Sequence, residues 1–65
     1  MKEGTIASLR EGFGFIKIEG WDKDLFFHAN DLIDVQFDSL RPGDKVTFEV
    51  AEGPKGKNAA KVTKI

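Results

Sequence analysis

Apolar and polar residues alternate with a period of two along most of the chain, and no segment carries the three-to-four spacing of an amphipathic helix. The alternation predicts five strands, over residues 4–9, 13–18, 24–28, 44–50 and 59–65, the first with the weakest pattern. Turn residues separate them: Gly20 within 19–23, Arg41-Pro42-Gly43 before the fourth strand, and the Gly/Pro segment 52–58 before the fifth. Between the third and fourth strands lies a long connection, 29–43, in which Asn30 is placed to cap a single helical turn around Asp31 and Leu32. Five short strands with a helical turn after the third predict an all-β fold, a small five-stranded antiparallel barrel. Closure removes the strand edges that so small a sheet could not otherwise protect.

The parity of each strand assigns its faces. Ile16, Ile18, Leu25 and Phe27 form one consistent apolar set, and Val46, Phe48 and Val50 form another in the fourth strand. The opposite parity of strands two and three holds Phe13, Phe15 and Lys17 beside Asp24, Phe26 and His28. The inverted assignment would bury a cation, a carboxylate and an imidazole together, each without a partner and each at a cost of several kcal/mol. The mixed face therefore points to water, and its three phenylalanines go with it. A cluster of exposed rings marks a binding surface. Flat rings among sparse cations suit unpaired nucleobases, because stacking contributes about 1–3 kcal/mol per base and tolerates any sequence. Gly12 and Gly14 leave room for neighbouring rings and a ligand backbone to approach.

Composition narrows the remaining classes. Sixty-five residues make one domain, 1–65. With no cysteine, disulfides are excluded, and one histidine alone does not make a structural zinc site, so we expect no metal. There is no apolar run near the ~20 residues of a membrane span, and "MKEGTIASL" is too short and too charged for a signal peptide. We read the protein as soluble, cytoplasmic and free of membrane. The net charge is −1, from ten basic and eleven acidic side chains, so a polyanionic partner must be held by local contacts. No nucleophile–base pair and no phosphate-binding loop are visible, which predicts neither catalysis nor a cofactor. Trp21 has two readings, a cap on the barrel end, which we favour, or an extension of the stacking surface. Lys55 and Lys57 read either as phosphate contacts or as solvated loop lysines. Lys17, on the aromatic face, is open to the same two readings.

With these residues in place, a family likeness emerges. "GFGFI" at 12–16 resembles the first ribonucleoprotein motif of cold-shock domains, and "LFFH" at 25–28 resembles the second. "MKEGTI" is similar to the opening of cold-shock proteins, and 37–65 is similar to their second half in length, turns and ending. The resemblance implies a five-stranded OB-type barrel that binds single-stranded RNA or DNA, acts in an RNA-chaperone-like way and is monomeric. It implies that Phe13, Phe15 and Phe26 are stacking platforms. His28 then stacks on or hydrogen-bonds a base, Phe37 adds a further ring, and Asp24 accepts hydrogen bonds from a base edge. Lys55 and Asn58 match polar positions near the path of the strand. Four departures accompany the likeness, one of them a shorter connection before "GFGF". Ala7-Ser8-Leu9 stands where the family writes a tryptophan–phenylalanine pair. Glu11 replaces a lysine that Arg10 could stand in for, and Ala29 replaces an aromatic. Losing about 1 kcal/mol per absent ring lowers affinity tens- to hundreds-fold, so weak-to-moderate binding with shallow sequence preference is expected. The alternative is an OB module whose remaining phenylalanines serve a protein partner.

Overall fold

The alternation becomes five strands in the computed structural model, which describes residues 1–54 and 56–65. They are β1 (Lys2–Arg10), β2 (Phe13–Lys17), β3 (Leu25–His28), β4 (Lys45–Gly53) and β5 (Gly56–Lys64). They close into a barrel in the order β1-β2-β3-β5-β4, with β4 returning to β1. Four of the seams are antiparallel. The fifth, between β3 and β5, is parallel and rests on the single pair Phe26↔Asn58. This corrects the wholly antiparallel barrel expected from the alternation. Directions can alternate around a closed ring only when the strand number is even, so five strands leave one seam parallel.

The interior is the set that parity selects. Ile16, Ile18, Leu25 and Phe27 are buried together with Val46 and Phe48, while Val50 is half-buried and packs against them. Among the described residues no polar or charged side chain is buried, so the core carries no desolvated polar group. Two strands depart from strict alternation. In β1 the register against β2 shifts between Ile6 and Ser8, so Ile6 and Leu9, three apart, both face inward. In β5, Ala59 and Val62 are likewise three apart and both buried. There Lys61 takes a left-handed φ of 52° where the β4–β5 register shifts. A bulge inserts one residue, and the next apolar residue in the strand then faces inward again.

The connection after β3 also differs from expectation. The 3-10 turn spans Ala29–Asp31, and its cap is His28, not Asn30. A second 3-10 turn, Phe37–Ser39, precedes the buried Leu40. The first turn leads into a parallel bridge between Leu32 and Val62, extending the thin β3–β5 seam, and Ile33 N–H donates to the Val62 carbonyl at 2.8 Å. The 52–58 segment is shorter as a loop than predicted, because β4 and β5 stay paired as far as Gly53 and Gly56. Trp21 does not cap the barrel: it is 38% exposed and lies outside the core.

Candidate nucleic-acid interface

Register converts the strand parities into a surface. Across β1 and β2, Ser8 lies opposite Phe15 and Arg10 opposite Phe13. Across β2 and β3, Phe13 lies opposite His28 and Phe15 opposite Phe26. Across the parallel seam Phe26 lies beside Asn58. Paired residues share a face, so one continuous outer shelf runs from Arg10 and Ser8, over three rings and His28, to Asn58. Lys17 continues the β2 row at its exposed end.

The three rings form a closed triangle. Phe13 and Phe15 meet edge to face with centroids 5.9 Å apart, Phe15 and Phe26 do so at 6.1 Å, and Phe13 and Phe26 lie tilted at 5.6 Å. Such pairs contribute about 0.5–1.5 kcal/mol each beyond their buried area. The rings thus position one another while remaining open: Phe26 is 37% exposed, and Phe13 and Phe15 are half-buried. Arg10 and Lys17 are exposed, and neither forms an ion pair among the described residues, whereas Lys61 and Lys64 are engaged by Glu49 and Asp44 at 3.5 Å.

His28 is held from behind by the turn it caps. Its Nδ1 accepts the Asn30 N–H at 3.1 Å, and its own N–H donates to Asp31 Oδ2 at 3.0 Å, the reciprocal pattern of a capping box. On the other side of Phe26 a cleft of about 440 Å³ opens toward the β4–β5 hairpin, lined by Gly53, Pro54, Gly56, Lys57 and Asn58. Its lining is mostly apolar, with Lys57 and Asn58 supplying charge and polarity.

Of the candidate residues, register therefore unites Arg10, Phe13, Phe15, Lys17, Phe26, His28 and Asn58. Phe37 stands apart: it is half-buried against the core, 6.3 Å from the Phe27 ring. Asp24 is exposed and directly precedes β3. Lys55 lies outside the described residues. Sequence reasoning misses Ser8, which reaches the shelf only through the bulge in β1. The signal for it is two inward apolar residues spaced three apart in one strand. Gly14, expected to give a ligand access, faces inward instead, where a Cβ would lie 2.8 Å from Phe27 Cε1 and 2.9 Å from Leu9 Cδ2. Its bare backbone makes room for the core.

A closed five-stranded barrel with an aromatic shelf across β2 and β3 defines an OB-type fold of the nucleic-acid-binding class. The chain matches the "'Cold-shock' DNA-binding domain" family over residues 2–65. It is 42% identical over 67 residues to "Cold shock protein CspA" of Staphylococcus saprophyticus and of Staphylococcus aureus, with both chains covered in full. Among solved structures it is similar to "drosophila Unr CSD456", with a TM-score of 0.84 and 33% identity over 98% of this chain and 26% of that one. The chain belongs to the cold-shock domain family, whose members are nucleic-acid-binding OB folds and not enzymes.

Proposed function

We propose that this protein binds unpaired RNA or DNA by stacking bases on Phe13, Phe15 and Phe26. His28 and Asn58 contact base edges, and Arg10, Lys17 and the hairpin lysines Lys55 and Lys57 meet phosphates. Phe37 and Asp24 flank the path of the strand. The observation that carries this reading is the open three-ring triangle on one barrel face, bordered by Arg10 and Lys17, which form no ion pair among the described residues. A shelf of this size holds about five to seven nucleotides, within the range of a single OB fold. Stacking dominates, so affinity is weak to moderate and sequence preference shallow. A binder of the unpaired state draws RNA out of its folded forms by mass action, which is an RNA-chaperone-like activity. This domain acts as a monomer in the cytoplasm.

Titration with oligo-dT and oligo-dC at several ionic strengths, followed by amide chemical shifts, tests this. Shifts should concentrate on β2, β3 and the hairpin. Single-strand binding loses about 0.7 in log K per unit log salt for each phosphate neutralised, so the four cations named above give a slope of at most about −2.8. Phe15→Ala should cost about 1–3 kcal/mol of affinity. Absence of shifts at millimolar oligonucleotide would overturn the reading and favour a protein partner for the same rings.

A further inference from the structure

The turn that holds His28 also decides which of its nitrogens carries the proton. A neutral imidazole has one donor nitrogen and one acceptor. Nδ1 is already the acceptor, taking the Asn30 N–H at 3.1 Å. A proton on Nδ1 would set two N–H groups against each other at that distance and leave the turn amide unpaired. The second half of the capping box, His28 N–H to Asp31 Oδ2, holds the residue in this arrangement from the backbone side. Nε2 has no hydrogen-bond partner among the described residues. The side chain is exposed, and His28 lies opposite Phe13 on the shelf.

We infer that His28 is locked as its Nε2–H tautomer and reads the ligand as a donor only. The base at that place must then present an acceptor; where it is a pyrimidine, the one shared by cytosine, thymine and uracil is the O2 carbonyl. This deepens the proposal that the shelf binds bases and rests on it. Stacking gives the shelf no directional contact, so the Nε2–H supplies one that stacking lacks. A contact to O2 also leaves cytosine and thymine equivalent at this place, which keeps discrimination between the two pyrimidines shallow.

Two measurements test the inference separately. Long-range 1H–15N correlation of the imidazole, on the free protein at mildly alkaline pH, should show a protonated Nε2 and a bare Nδ1. A predominant Nδ1–H form overturns the lock. A short thymidine oligomer is then scanned by replacing each thymine with its difluorotoluene isostere, which keeps the shape and loses the carbonyls. At one position the wild-type protein should lose about threefold to tenfold in affinity. His28→Asn, whose side-chain oxygen can still accept the Asn30 N–H, should lose nothing further at that position. No sensitive position, or equal sensitivity in wild type and variant, overturns the donor role. Failure of the unmodified oligomer to bind overturns the shelf itself, and the nitrogen signals then still decide the tautomer.

Discussion

Phe26 and Phe27 are neighbours in the chain and opposites in environment. Phe27 is 0% exposed in the core, and Phe26 is 37% exposed in the outer triangle. The inner ring replaces water with packed core side chains, the Phe37 ring among them. The outer one has only two other rings for company and keeps part of its surface wet. One side-chain chemistry thus serves stability on one face of β3 and recognition on the other. The pleat alone separates the two uses.

Mutation of the pair should split the two quantities. Phe27→Ala removes a fully buried ring, worth about 3–5 kcal/mol of stability, a large share of what a domain of this size possesses. Chemical denaturation should find it largely unfolded. Phe26→Ala should cost about 1 kcal/mol in denaturation but about 1–3 kcal/mol in oligonucleotide affinity. Phe27→Leu is the milder control and should destabilise the fold while leaving affinity within about twofold. Equal effects of Phe26→Ala and Phe27→Leu on both quantities would dissolve the contrast.

Gly14 tests the same boundary from the inner side. A methyl group there would sit 2.8 Å from Phe27 and 2.9 Å from Leu9. Overpacking of this kind costs about 1–3 kcal/mol, and each kcal/mol lowers the melting temperature of a domain this size by about 4–8 °C. Gly14→Ala should therefore melt about 5–20 °C lower. Below that transition its affinity should match wild type. Were Gly14 mainly a gap for ligand, melting would hold and affinity would fall instead.

The faces of β2, β3 and the start of β4 are legible in the sequence because each strand keeps strict alternation. In β2 and β3 the wrong parity would also bury Lys17, Asp24 and His28. Closure is legible from five short strands in a chain without other staples. The cap is not: Asn is the commoner capping residue, and nothing local shows that Asp31 reaches back to the His28 amide. The parallel seam escapes because pairing of Phe26 with Asn58 joins residues far apart in sequence, although an odd strand count already requires one such seam. The bulges at Ala7 and Lys61 escape because they insert a residue where alternation allows none. Their trace is Ile6 with Leu9 and Ala59 with Val62, apolar pairs three apart that look like weak strands until the register is known.

The bulge in β1 yields the smallest and most directed prediction. Of Ala7, Ser8 and Leu9, Ser8 is the one paired across from a shelf ring, and Ala7 beside it is exposed. Leu9 packs against the core opposite Gly14, and Ala7 is the residue left out of register. Ser8 faces Phe15 and is flanked by Arg10, so a ring there would extend the triangle by one platform. Ser8→Trp should gain about 1 kcal/mol of single-strand affinity, roughly fivefold, at the low end of base stacking. Its melting temperature should change little, because the new ring replaces no core atom. Ala7→Trp, one residue away and out of register, should gain less. Strict alternation across Ile6–Leu9, with no bulge, would keep Ala7 on the outer face, where it is exposed here, but would put Ser8 inside. Fluorescence titration of the two variants against one oligo-dT therefore reads the register of β1 in solution, and a larger gain from Ala7→Trp would mean that the shelf begins one residue earlier than the pairing with Phe15 implies.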